Sequence, residues 1–117
     1  MTDAAIRELT EALRLFAKER DWDQFHSPKN LAMALSVEAA ELLEQFQWLT
    51  EAESQAPSAE QRKAIGEEMA DVFLFLLRLA DKLDIDLIRE SGLKLELNAM
   101  KYPVEKARGK STKYTKL

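Results

Sequence analysis

The sequence predicts an all-α fold, a bundle of four main helices, on three observations. Its 117 residues include only three glycines and three prolines, so the segments between breaks are long. Apolar residues recur every three or four positions through most of the chain. Apolar/polar alternation of period two is confined to short isolated runs such as Leu83–Leu87 and Leu93–Asn98, which leaves strands with little signal. The length suits one compact domain, placed at residues 1–105, with a basic tail at 106–117.

From Asp3 to Arg20, the spacing of Ile6, Leu9, Leu13 and Phe16 predicts an amphipathic first helix. It gives way to Arg20-Asp21-Trp22-Asp23-Gln24-Phe25-His26, where two aromatic rings and the single histidine stand in what would ordinarily be a polar loop. Ser27-Pro28 reads as an N-cap followed by proline at the first helical position, where its missing N–H costs nothing. A second helix follows to about Leu49. Thr50 to Ser58 is small and polar and contains Pro57, so it reads as a loop. Ser58, with Gln61 three residues on, forms a capping box that opens a third helix to about Leu83. Asp84-Ile85-Asp86 offers the next cap. Leu87, Ile88, Leu93, Leu95 and Leu97 then build a shorter fourth helix that ends before Pro103, since the residue ahead of a proline avoids the helical region. Lys106 to Leu117 is expected to be an extended or partly disordered arm.

Composition removes several chemistries. There is no cysteine and one histidine, so disulfides, thiolate zinc sites, cysteine nucleophiles and histidine metal clusters are excluded. The net charge of −4 is unevenly placed: residues 1–100 carry 11 basic and 20 acidic groups, residues 101–117 carry 6 and 1. An acidic body argues against nucleic acid as a partner. No apolar run approaches the roughly 20 residues that span a bilayer, and the N-terminus lacks the layout of a secretion signal. The expectation is a soluble, cytoplasmic protein with no membrane partner.

The strongest anomaly is a set of carboxylates in the wrong place. Glu38 and Glu41 are spaced i, i+3 and fall into the sector of helix two shared by Leu31, Leu35 and Leu42. Glu68 and Asp71 repeat the pattern on helix three beside Ile65, Met69, Val72, Phe75 and Leu79. Ionised groups are rarely buried without a partner, and four converging carboxylates repel one another unless a cation sits among them. The nearby basic residues Lys29, Arg62, Lys63 and Arg78 lie toward the helix ends, so structural ion pairing explains the pattern less well. All-oxygen ligation selects a hard cation, Mg²⁺ first, with Mn²⁺ as substitute and Ca²⁺ also compatible. Magnesium shares its shell with phosphate oxygens, which points to phosphoryl or nucleotidyl hydrolysis.

At this point the residues resemble a known family: the all-α nucleoside triphosphate pyrophosphohydrolases of the MazG-like superfamily, most closely the small dCTP pyrophosphatase-like branch. The resemblance rests on Arg20 to His26, on Pro28-Lys29-Asn30-Leu31-Ala32, and on the run Glu38 to Trp48. It extends through Glu67-Glu68-Met69-Ala70-Asp71-Val72, Lys94, Asn98 and Lys101-Tyr102-Pro103-Val104-Glu105-Lys106. It implies that Glu38, Glu41, Glu68 and Asp71 are magnesium ligands and catalytic residues, with Glu41 the choice for handling the attacking water's proton. The implied reaction cleaves a (deoxy)nucleoside triphosphate between its α and β phosphates to a monophosphate and pyrophosphate. It also implies a homo-oligomer, dimer or dimer of dimers, whose sites draw on more than one subunit. The apolar residues that encircle helix three, Phe73, Leu74, Leu76, Leu77 and Leu79, independently exceed what one stripe buries.

Each substrate residue has two readings. Trp22 and Trp48 offer a stacking slot for a base in the assembled protein, or serve as ordinary core or interface rings. His26 bonds a phosphate or base edge, or caps a helix; Asn30 contacts substrate, or satisfies helix ends. Lys94, Asn98 and Lys101, with Tyr102 beside them, share a helical face suited to a triphosphate, or form a solvated face in which Lys94 pairs with Glu90 and Lys101 with Glu105. The resemblance favours the substrate role for Trp22 and Trp48 and for Lys94, Asn98, Lys101 and Tyr102. Leu13 and Phe75 depart from the histidine and tyrosine of the dCTP-preferring branch, so several deoxynucleotides, modified ones included, are as compatible as dCTP. The competing readings are a dUTPase-like hydrolase with the same metal site and a non-catalytic helical oligomerisation module.

Overall fold

A computed structural model describes residues 3–117. Every regular element among them is helical. They fall into two compact units, residues 4–85 and residues 86–117 with Asp3.

The first unit contains α1 (Ala4–Glu19), a 3-10 turn at Asp23–Phe25, α2 (Pro28–Glu44), a short α3 (Glu51–Gln55) and the long α4 (Ala59–Lys82). The expected caps are in place. Ser27 Oγ accepts from Asn30 N at 3.1 Å, with Pro28 at the first helical position. The Ser58 hydroxyl accepts from Gln61 N at 3.1 Å while Gln61 Oε1 accepts from Ser58 N at 2.9 Å, a reciprocal capping box. α4 is the central element: it shares its largest interface with α2 and a smaller one with α1. Ala17, Leu31, Leu77 and Ala80 are buried where these helices meet.

Two boundaries differ from the sequence reading. The second helix stops at Glu44 rather than near Leu49, because the chain tightens into i→i−3 bonds from Gln45 to Leu42 and from Phe46 to Leu43. The expected loop after it contains α3. Thr50 and Glu53 form a second capping box, with Thr50 N donating to Glu53 Oε1 at 2.9 Å and Glu53 N to Thr50 Oγ1 at 3.1 Å. Small polar residues and Pro57 hid that helical turn.

The second unit contains α5 (Leu87–Lys101), α6 (Val104–Ala107) and a terminal 3-10 turn at Tyr114–Lys116. Asp86 caps α5 through Arg89 N at 3.1 Å, and the helix ends before Pro103 as its sequence requires. The segment expected to be an extended or partly disordered arm instead returns on itself. The Tyr114 ring meets Tyr102 edge-on at 5.9 Å between centroids, and Lys101 Nζ lies 4.9 Å above the Tyr114 ring.

Two aspartates end helices in the left-handed conformation that usually calls for glycine: Asp21 at φ 54° and Asp84 at φ 53°. In each case the full Schellman pair of bonds forms. Trp22 N reaches back to Ala17 O and Asp21 N to Lys18 O; Ile85 N reaches Ala80 O and Asp84 N reaches Asp81 O. The motif after α1 folds Trp22 back onto Phe16, edge-on at 5.7 Å, and so directs the aromatic loop toward α4. Asp21→Gly is expected to keep or raise stability, by up to about 1 kcal/mol, whereas Asp21→Val lowers it by about 1–2 kcal/mol, as measured by urea unfolding.

Candidate active site

α2 and α4 bring three of the four predicted carboxylates together. One carboxylate oxygen each from Glu38, Glu41 and Glu68 lies within 4.8 Å of the others, and all three residues are part-buried. Successive turns of α2 place Glu38 and Glu41 on the face that meets α4, and Glu68 faces them from α4. Asp71, one turn further along α4, is more exposed and stands outside that triangle, yet its charge still bears on Glu38. Among the described residues no lysine or arginine forms an ion pair with any of the four.

The electrostatics record the conflict. Glu38 is pushed up to about 7, first by burial and then by Glu41, Asp71 and Glu68. Glu68 is raised as well, again by burial first and then by Glu41. Glu38 Oε2 and Glu68 Oε2 are both buried with no hydrogen-bond partner. Two orphaned acceptors facing a third carboxylate, with no donor among the described residues, fit a divalent cation, whose oxygen ligands stand about 2.0–2.6 Å away.

Asp71 also lines a cavity of about 410 Å³, within the ordinary range for a small-molecule site. Its walls are mostly apolar: Leu9, Leu13, Phe16, Leu74 and Phe75 come from α1 and α4. Trp22 and His26 of the aromatic loop line it too, with Arg78. Trp22 and His26 thus share one cavity with the Asp71 carboxylate. Trp48 does not line it; it lies beyond the end of α2 and is 87% exposed. The Asn30 side-chain amide donates to Phe25 O at 3.0 Å and so ties the aromatic loop to the start of α2. Lys94, Asn98, Lys101 and Tyr102 all belong to the second unit, three on α5 and Tyr102 at its end.

Arg78 is not announced by its sequence position: it reads as a cation near a helix end, but the side chain is 6% exposed. Its Nη2 donates to Asp23 Oδ1 at 2.6 Å, its Nη1 to Asp81 Oδ2 at 3.4 Å and its Nε to His26 Nδ1 at 3.2 Å. Arg14 pairs with the same Asp81, and Lys82 with the same Asp23. These contacts hold both aspartates below the usual carboxylate range, Asp81 chiefly through Arg14 and Asp23 chiefly through Lys82. His26 is pushed down by burial and by the positive charges of Arg78 and Lys82. The available signal was a lone arginine inside the apolar run Phe73-Leu74-Phe75-Leu76-Leu77-Arg78-Leu79-Ala80.

The MazG-like family matches residues 33–117, most of the chain and the whole of the carboxylate cluster. The chain belongs to the MazG-like family. This MazG-like chain is 46% identical over 104 residues to dCTP pyrophosphatase 1 of Rattus norvegicus and 45% identical to that of Homo sapiens. Each alignment takes in 87% of this chain and 61% of the relative, so the chain spans about three fifths of the length of the curated relatives it matches. A crystal structure of a pyrophosphatase from Archaeoglobus fulgidus superposes with a TM-score of 0.78 at 41% identity, covering 88% of this chain and 96% of the other. Among the described residues of this MazG-like chain no helix is long and apolar enough to cross a membrane.

The Arg78 network carries a pH signature. Asp81 has a lower pKa folded than unfolded, so its contribution is present above the unfolded value of about 3.9 and is lost as the pH falls through the folded value. Unfolding midpoints are expected to drop below about pH 4. Asp81→Asn should flatten that acid limb and lower stability near neutral pH by about 2 kcal/mol.

Proposed function

We propose that this chain is a Mg²⁺-dependent nucleoside triphosphate pyrophosphohydrolase that cleaves a deoxynucleoside triphosphate, dCTP or a modified dNTP, to the monophosphate and pyrophosphate. The role is nucleotide-pool house-cleaning. The observation that carries the reading is the pair of buried, partnerless carboxylate oxygens on Glu38 and Glu68, set against Glu41 and next to a cavity that Asp71 also lines. The names of the relatives, dCTP pyrophosphatase 1, support it.

In this reading Glu38, Glu41, Glu68 and Asp71 hold the cation, with Mn²⁺ able to replace Mg²⁺. When bound, the cation neutralises triphosphate charge and polarises the phosphoryl group under attack. The residues of the chain do the rest. Glu41, which lies against both Glu38 and Glu68, is assigned to take the proton of the attacking water. The apolar cavity wall excludes water from the base, and Trp22 gives it a flat surface. Lys94, Asn98, Lys101 and Tyr102 are assigned to the triphosphate and Trp48 to the base. His26 and Asn30 are assigned to substrate contact, Asn30 by fixing the aromatic loop.

A homo-oligomer, dimer or dimer of dimers, and completion of a four-helix bundle belong to the same reading. Leu95, Met100 and Val104 in the second unit, and Trp48 in the first, are strongly exposed and need a covering surface. Leu13 and Phe75 add only apolar surface to the cavity, so dUTP is the informative competitor substrate.

A substrate panel with Mg²⁺, scored for monophosphate, pyrophosphate and orthophosphate, tests the reading. Pyrophosphate is the expected product, and Glu38→Gln or Asp71→Asn should each lower turnover by about 100-fold or more. Mg²⁺ alone should raise the melting temperature, by about 2.7 kcal/mol of stabilisation at a hundredfold excess over Kd, and Glu38→Gln should abolish that rise. A folded protein inert toward every nucleotide with both Mg²⁺ and Mn²⁺ would overturn it.

A further inference from the structure

Arg78 has no part in the carboxylate cluster, yet it is the most deeply buried charged side chain described. Its bond to His26 has a consequence that follows from donor chemistry alone. A guanidinium has only N–H donors and stays protonated, so the Nδ1 that receives Arg78 Nε at 3.2 Å must present a lone pair. That requires a neutral imidazole whose single proton is on Nε2. His26 lines the cavity, and its Nε2 has no partner among the described residues. The ring packs edge-on to Trp22 at 6.4 Å between centroids, which fixes its plane beside the surface assigned to the base.

We propose that Arg78 is a positioning residue that locks His26 into the neutral Nε2–H form, making it a dedicated hydrogen-bond donor to an acceptor atom of the bound nucleotide. The tautomer follows from this chain's geometry alone; only the identity of the acceptor's owner rests on the pyrophosphohydrolase reading. Arg78 can serve in this way because its other bonds anchor the guanidinium at both ends, through Asp23 and Asp81. The network also tolerates its removal: Asp81 keeps Arg14, and Asp23 keeps Lys82. Arg78→Met is therefore expected to fold.

His26 is the only histidine of the chain, so its ring nitrogens can be read without assignment ambiguity in a long-range ¹H–¹⁵N spectrum. At neutral pH the full-length protein should show a protonated-type Nε2 and an unprotonated-type Nδ1. In Arg78→Met the Nδ1 signal should move toward the protonated type as other forms become populated. Kinetics provide the second readout. His26→Gln places an amide donor near the Nε2 position and should keep KM within a few-fold, whereas His26→Asn retains an acceptor for Arg78 but is too short to bring its amide N–H to the Nε2 position, and should raise KM about tenfold with kcat little changed. An Nδ1–H or imidazolium pattern in the wild-type protein, an unchanged spectrum in Arg78→Met, or equal KM for the Gln and Asn variants would each overturn the proposal. A protein that turns over no nucleotide would remove the pyrophosphohydrolase reading and leave the spectroscopic result to decide the tautomer.

Discussion

Burial of like charges between α2 and α4 sets the terms for the rest of the molecule. The two helices meet because their apolar stripes must leave water, and those stripes carry Glu38, Glu41 and Glu68 into the contact with them. Burial and mutual repulsion disfavour the charged forms there: Glu38 is pushed up to about 7 and Glu68 is raised as well. Two buried oxygens still lack partners. A fold seeking stability alone would put leucine at these positions. Their presence in the largest helix interface is the physical ground for reading the site as functional.

The cavity beside this cluster depends on how α1 ends. A left-handed Asp21 closes a Schellman motif, turns Trp22 onto Phe16, and carries the 3-10 turn and His26 across to α4. There Arg78 receives them through Asp23 and His26, while Arg14 braces Asp81 from the α1 side. Each carboxylate in this network has two cationic partners, whereas among the described residues none of Glu38, Glu41, Glu68 and Asp71 is paired with a cationic side chain. One end of α4 is therefore ionically satisfied and the middle is not. That contrast separates a structural charge network from the proposed cation site on the same helix.

Much of this was legible in the sequence, and the exceptions have physical causes. The caps at Ser27, Ser58 and Asp86 were readable because capping acts over three residues. The i, i+3 carboxylates were readable because helical periodicity assigns them a face before any tertiary contact is known. The capping box of Thr50 and Glu53 was just as local but was overruled by composition. Asp21 and Asp84 were not legible as helix terminators, since aspartate adopts the left-handed region only where bonds such as those to Ala17 and Ala80 over-determine it. Arg78 was not legible because its partners Asp23 and His26 are more than fifty positions away in sequence. The cavity shared by Trp22, His26 and Asp71 likewise joins elements that no local pattern connects.

The central claim is that the carboxylate cluster is a cation site rather than an internal store of shared protons. Crystals of the full-length protein grown with Mn²⁺, and measured at an energy where manganese scatters anomalously, test it most directly. The expected result is an anomalous peak enclosed by Glu38, Glu41 and Glu68, at about 2.2 Å from carboxylate oxygens that now lack partners. No peak there at saturating Mn²⁺, or carboxylates instead paired with a lysine or arginine, would contradict it.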